Sequence, residues 1–314
     1  MKNVMLSTYN KPFDTSGINN LTDCYLLLGA DCSNEIILNN YIQVLCKKNQ
    51  PDLNYQNKTL IHNSKQLINS CGFSIPKDIP GANSPFLLNS IQSFLQNGHY
   101  CVCHVNSNLL PPEKVISKSD EKILIYGFAS MGETCYYIKT FDNDFQIVDL
   151  MLSESQLMEC MEATGEKNYL LFYLTINERY REHVNIQEIL RKISSYIHSD
   201  GCDGGELYGQ KAFYEIIRLM DQNLVCMRLP LILLEHKKLM YKRVDYLVQS
   251  ANIGSSTLTK AYETVVKRAQ TVFDMSLEYS KTRKASLIKM LQGQIRTVLE
   301  TEKEILQEVI GCRY

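Results

Sequence analysis

Between Tyr100 and Asp149 the chain returns again and again to short runs of β-branched and aromatic residues, and after about Asn177 it stops doing so. The runs are Tyr100-Cys101-Val102-Cys103-His104-Val105, Lys122-Ile123-Leu124-Ile125-Tyr126-Gly127-Phe128, Cys135-Tyr136-Tyr137-Ile138-Lys139 and Phe145-Gln146-Ile147-Val148-Asp149. The turn Asp142-Asn143-Asp144 joins the last two, which is a hairpin signal. A further strand is expected at Tyr169-Leu170-Leu171-Phe172-Tyr173-Leu174. Downstream, apolar residues recur at helical spacing instead. The chain therefore reads as α+β, with an antiparallel sheet in a first domain over 1–176 and a helical domain over 177–314.

The remaining elements follow from their punctuation. Ile36-Ile37-Leu38-Asn39-Asn40-Tyr41-Ile42-Gln43-Val44-Leu45 has the periodicity of a helix, and a polar stretch over 47–64 follows it. A short strand, Gly72-Phe73-Ser74-Ile75, ends at Pro76. A helix is expected from Ser84 and Pro85, a cap and a first-turn proline, to Leu95, with Gly98 stopping it. Asn185 caps the next helix, and Gly201-Cys202-Asp203-Gly204-Gly205 breaks the chain after it. That glycine cluster lacks a following Lys-Ser/Thr pair and a preceding strand, so it reads as a loop and not a phosphate cradle. Helices are expected over 209–222, 229–249 and 255–310.

The last segment carries Leu258, Tyr262, Val265, Ala269, Val272 and Ser276, then Leu287, Leu291, Ile295, Val298, Ile305 and Val309. This is one long amphipathic helix or two, broken near Ser280-Lys281-Thr282 or Gly293. Two readings stand for the stripe: a face packed onto the rest of the protein, or a homodimer seam through the C-terminal helix.

Composition excludes several classes. With 33 basic and 34 acidic residues, the chain lacks the basic excess of a nucleic-acid binder. No apolar stretch reaches the ~18 residues of a membrane span, and the start lacks the apolar core of a signal peptide. Eleven irregularly spaced cysteines in 314 residues suit a reducing cytoplasm with free, mostly buried thiols.

One of those thiols has a reactive context. Gly29-Ala30-Asp31-Cys32-Ser33-Asn34-Glu35 places Cys32 at the start of the expected helix. Unsatisfied N–H groups and the helix dipole there favour a thiolate. Cys24 competes for the role, but the periodicity after Cys32 is cleaner. Cys101-Val102-Cys103-His104 resembles half a zinc site, yet no partner pair stands at metal spacing, and strand core is the better reading. His99, His104 and His236 are each read first as structural histidines.

The order of elements carries a resemblance. A helix-initial Asp31-Cys32, then a second helix, then Gly98-His99-Tyr100-Cys101-Val102, Ile123-Leu124-Ile125-Tyr126-Gly127-Phe128 and Ile147-Val148-Asp149, resembles the papain-like domain of the butirosin-biosynthesis protein H family. Leu207-Tyr208-Gly209-Gln210-Lys211-Ala212-Phe213 and Leu234-Glu235-His236-Lys237-Lys238-Leu239-Met240 are similar to the helical region of relatives from peptide-antibiotic gene clusters. The resemblance implies a papain-like cysteine-protease fold with an appended helical region. It implies Cys32 as nucleophile and Asp149 as the acid that orients the base. The family's histidine falls on Glu121, which serves as base only if burial or the neighbouring Asp120 raises its pKa.

The implied activity is acyl transfer in secondary metabolism. The acyl donor would be a phosphopantetheine thioester on an acyl or peptidyl carrier protein, and the acceptor a small amine, with no cofactor. Two other functions stay open: a catalytically impaired relative that binds a small acyl or peptide metabolite, and a cysteine amidase or protease.

Overall fold

In a computed structural model the protein is mixed α and β, with antiparallel sheets and, among the described residues, seven helices that are resolved as whole elements. The structure describes residues 3–5, 35, 38–40, 42–51, 53–55, 68–78, 84–111, 121–141, 147–176, 183–200, 205–222 and 229–312. The chain divides into two compact units. The first comprises Met1–Ser33 with Ile61–Arg181, the second Asn34–Leu60 with Glu182–Tyr314. The expected boundary after residue 176 falls near the division at Arg181, whereas Asn34–Leu60, expected in the first domain, lies with the helical unit.

In chain order the elements are β1 (Asn3–Met5), β2 (Val44–Lys47), β3 (Leu53–Tyr55), β4 (Ile68–Pro76), α1 (Ser84–Gln96), β5 (Tyr100–Val105), β6 (Glu121–Met131), β7 (Glu133–Phe141), β8 (Ile147–Ser153), α2 (Glu154–Glu162) and β9 (Asn168–Ile176). There follow α3 (Ile186–His198), β10 (Glu206–Tyr208), α4 (Gln210–Met220), α5 (Leu229–Ala251), α6 (Ser256–Thr282) and α7 (Ala285–Gly311). No helix of the described residues is long and apolar enough to cross a membrane.

The first unit is built on a sheet in the order β4-β9-β5-β6-β7-β8, with β1 paired to β6. All its pairings are antiparallel. Period-2 alternation sends Cys101, Cys103 and Val105 of β5 and Ile123 and Ile125 of β6 to one face, where they join a core with Leu87, Ile91 and Leu95 of α1. Leu157, Met158 and Met161 of α2 join the same core. The helix α2 was not expected from the sequence. Its start is a capping box: Ser153 Oγ accepts from Gln156 N, and the Gln156 side chain accepts from Ser153 N. A β-bulge interrupts β6 at Tyr126, where the register passes from Ile125 opposite Ile138 to Gly127 opposite Tyr137. At Gly127 a Cβ would lie 2.5 Å from the Val4 carbonyl oxygen, so the close approach of β1 requires glycine.

The second unit corrects the expectation for 36–45. Val44 and Leu45 are strand, not helix: β2 pairs with β3 on one side and β10 on the other. Val44 and Cys46 are fully buried, and Leu45 between them less so, which is strand and not helix periodicity. Pairing with β10, a strand far downstream in the chain, decides the matter.

The turn after β2 is tied to α4 by charge. Asn49 has φ +61 and donates its N–H to Glu215 Oε1 at 2.8 Å. Arg218 grips Glu215 through Nε and Nη2, each at 2.8 Å, and reaches Asn49 Oδ1 at 2.7 Å. Arg218 foremost, and then the Asn49 N–H, hold the Glu215 carboxyl down at about 2 against the penalty of burial. A depressed folded pKa means that its stabilisation is complete above the unfolded value of ~4.3 and is lost as pH falls through about 2. Glu215→Gln is therefore expected to flatten the acid limb of a stability profile between those values, which urea unfolding at stepped pH would read out.

Gly209 opens α4 with φ +60 and ψ −140, a conformation reserved for glycine. A Cβ there would collide with the Tyr196 carbonyl oxygen. Gly209→Ala is expected to cost at least ~1–3 kcal/mol from the backbone alone, read as a fall in the denaturation midpoint.

The C-terminal segment is two helices. Arg283 turns the chain at φ +53, its N–H bonded to the Tyr279 carbonyl, and α7 runs back along α6. Gly293 stays inside α7. The stripe positions Leu258, Val265, Val272, Leu291, Ile295, Val298 and Val309 are all buried in the chain's own helical core.

Candidate functional site

Cys32 and Cys24 lie outside the described residues. Glu121 is the first residue of β6, at the position opposite Val105, and its side chain lies outside the described part of the structure. Asp149 sits on β8 opposite Lys139 of β7, and Lys139 in turn sits opposite Leu124 of β6. Strand β7 thus separates the strands that carry Glu121 and Asp149. Two strand spacings amount to about 10 Å. Asp149 and Glu121 are therefore not neighbours along the sheet.

Asp149 instead has two partners that the sequence reading missed. Lys139 Nζ lies 2.7 Å from Oδ1 and 3.0 Å from Oδ2, and Tyr126 donates its phenol to Oδ1 at 3.0 Å. The bulge at Tyr126 lets a β6 side chain reach β8 across the intervening strand. The Lys139 ammonium also stands 5.4 Å from the Tyr126 ring centroid, within cation–π range. Burial, followed by the Asp149 charge and hydrogen bond, pushes the Tyr126 phenol well up, so it remains a donor. Lys139 is 2% exposed and Asp149 53% exposed, so the carboxylate faces solvent while its counter-charge is sunk in the sheet. A carboxylate offers about four acceptor positions. Lys139, which meets both oxygens, and Tyr126 together take three of those positions, which leaves Asp149 capacity for one more on its exposed side.

Two buried thiols of the first unit, Cys101 of β5 and Cys160 of α2, are poor nucleophiles. Burial pushes Cys101 up to about 12 and Cys160 up to about 11. Cys101 and Cys103 belong to the core, as the strand-core reading expected. His99 bonds through Nδ1 to Thr175 Oγ1 at 2.8 Å and packs at a tilt against the Tyr173 ring. His104 alternates onto the sheet face opposite Cys103 and lies half-buried near Phe172.

A second charged cluster fills the helical unit. Glu302 of α7 and Lys237 and His236 of α5 are all fully buried. Lys237 Nζ donates to Glu302 Oε2 at 2.7 Å, to Tyr196 Oη at 2.9 Å and to His236 Nδ1 at 3.2 Å, which uses all three of its protons. Tyr196 of α3 donates to Glu302 Oε2 at 2.7 Å, Tyr262 of α6 donates to Oε1, and Gln210 of α4 donates to Oε2 at 3.4 Å. Helices α3, α4, α5 and α6 therefore each contribute a donor to the one carboxylate on α7. His236 donates Nε2–H to the Ile42 carbonyl at 2.8 Å and accepts at Nδ1, which sets its neutral tautomer. Burial first, and then the Lys237 charge, push its pKa well down. With both ring nitrogens so engaged, His236 has the structural role expected of it.

No family model and no curated protein matches the chain.

Proposed function

We propose that this protein is a cysteine-dependent acyltransferase of secondary metabolism, with the papain-like fold of the butirosin-biosynthesis protein H family and working in the cytoplasm. Asp149 supports the reading most: an exposed, oriented carboxylate at the position where the family resemblance expects the acid, on a sheet that follows the Cys32 segment in the chain. The Cys32 thiolate attacks the carbonyl of an acyl group carried as a phosphopantetheine thioester. The C–S bond to the carrier breaks, and the carrier thiol leaves with a proton. A small amine then attacks the Cys32 thioester, forms the amide and releases the Cys32 thiol. A thioester donor is already activated, so the base is asked for less than in peptide hydrolysis. That tolerates glutamate at position 121.

The engagement of Asp149 by Lys139 and Tyr126 favours a second reading, a catalytically impaired relative that binds a small acyl or peptide metabolite. Product analysis separates the readings. With an acyl-loaded carrier and a panel of amines, the transferase gives amide in proportion to amine. An amidase or protease gives free acid whatever the amine concentration. A binding protein gives neither, and that outcome rejects the proposal.

A further inference from the structure

The geometry points to a symmetric homodimer formed through the edge strand β4, with Cys71 of one copy opposite the same residue of the other. Strands β4 and β8 end the sheet of the first unit, and among the described residues β9 is the only strand paired with β4. An edge strand presents a row of backbone N–H and C=O groups to whatever lies beyond it, and proteins blunt such edges with short strands, charged residues, prolines or bulges. Strand β8 carries the exposed charge of Asp149. Strand β4 has none of these devices before its last residue. It is nine residues long and uncharged, and its register with β9 runs unbroken from Ile68 to Pro76. Its middle is open to solvent: Cys71, Gly72 and Ser74 are exposed. Phe73 is 38% exposed, with its ring against Phe94 and Tyr173 at 5.6 and 5.5 Å between centroids.

The ladder fixes which backbone groups point outward. Lys77 donates its N–H to the Lys167 carbonyl at 3.1 Å, one step beyond the pair Pro76 and Asn168. In an antiparallel pair, residues bonded to the partner strand alternate with residues turned away from it. Positions 69, 71, 73 and 75 therefore bond to β9, and Ile68, Ser70, Gly72 and Ser74 turn their N–H and C=O groups to the edge. Pro76 falls in the outward set and has no N–H to offer, which is where a strand tolerates proline.

A second copy of β4 satisfies these groups best in one register. A two-fold axis perpendicular to the sheet makes the contact self-complementary. Centred on Cys71, it sets Ser70 opposite Gly72 and Ile68 opposite Ser74, so all four outward residues bond and Pro76 stays outside the ladder. Centred on Gly72, it sets Ile68 opposite Pro76, which cannot donate. Centred on Ser70, it leaves Ser74 without a partner. At such an axis each residue meets itself, so bulk or charge there opposes pairing. The residues at the axis are a cysteine and a glycine. Cys71 forms the central pair without hydrogen bonds, in which Cα atoms approach to about 4.5 Å. Phe73 follows on the same face, and pairing brings its exposed ring to the interface.

The test is the mass of the full chain in solution across a dilution series, by light scattering and sedimentation. The parent is expected to reach about twice the 36.1 kDa of one chain. Cys71→Lys sets two ammonium groups opposite each other at the axis, and is expected to raise the dimer dissociation constant about tenfold or more. Cys71→Glu is expected to do the same. Mixing the two variants is expected to restore the dimer, because opposite charges then meet. A short bismaleimide is expected to join two parent chains through Cys71, as peptide mapping of the cross-link would show. Cys71 is exposed, so these changes are expected to leave the chain folded, which circular dichroism checks. If the charged variants fail to fold, Ser74→Pro removes one outward N–H while keeping the bonds to β9, and is also expected to weaken the dimer. A parent that is monomeric at every concentration overturns the inference. So does a dimer that Cys71→Lys and Ser74→Pro leave unchanged, or one that the mixed charge variants do not restore.

Discussion

Glu302→Ala is expected to destabilise the helical unit by ~3–5 kcal/mol, the usual cost of stranding a buried charge. Domain stabilities are only ~5–15 kcal/mol, so this single change threatens the whole unit. The loss comes from the groups left behind. Lys237 keeps two neutral partners but loses its counter-charge, and Tyr196 and Tyr262 lose the acceptor for their phenols. Burial is the largest cause that pushes both phenols up in pKa, and it persists in the variant, so neither is expected to ionise to replace the missing anion. The double variant Glu302→Leu with Lys237→Met is expected to recover part of the loss, because no charge then remains unpaired. Adding Tyr196→Phe and Tyr262→Phe is expected to recover more, by removing the orphaned hydroxyls. Urea unfolding of the four-step series checks this. A Glu302→Ala cost under ~1 kcal/mol, or a double variant worse than the single, would show that the cluster is not one coupled unit.

Part of this network was legible in the sequence. The C-terminal stripe steps from Val298 to Ile305, and Glu302 fills the gap at helical spacing. A charged residue on the apolar face of a helix is a buried charge in waiting, with a partner to be found. That partner was not legible. Helix α5 is buried over much of its length, with Ile232, Leu233, Leu239, Met240 and Val244 inside alongside His236, Lys237 and Arg243, and these three stand in the polar runs Glu235-His236-Lys237-Lys238 and Lys242-Arg243, where nothing marks them as buried. The sheet was read well because its strands alternate or run apolar between turn residues. Helix α2 was missed although Ser153-Glu154-Ser155-Gln156 spells a capping box. Strand β2 was misread because Ile37, Tyr41 and Val44 also satisfy helical spacing, and its pairing partner β10 lies in the other half of the chain. At the candidate site, position 149 was proposed from the resemblance that the order of elements carries. Its partners Lys139 and Tyr126 were not, since a bulge that carries a side chain across a strand leaves no periodic trace.

The other large effect concerns chemistry. On the proposed assignment of Cys32 as covalent nucleophile, Cys32→Ala is expected to reduce amide formation at least ~10³-fold, because its loss leaves only binding and oxyanion contacts to act. Cys32→Ser is expected to fall nearly as far, since the hydroxyl lacks the thiolate's nucleophilicity without a strong base beside it, and the family's histidine is absent from position 121. Both variants are expected to unfold at the parent's denaturant midpoint to within a few tenths of a molar. Any lost activity is then lost chemistry.

The most direct measurement is peptide mapping of the protein after brief exposure to an acyl-loaded carrier without amine. The peptide containing Cys32 is expected to gain the mass of the acyl group, to lose it on addition of amine or neutral hydroxylamine, and to stay unmodified in Cys32→Ala. No adduct on Cys32, or amide formation that persists in Cys32→Ala, would contradict acyl transfer through this thiol.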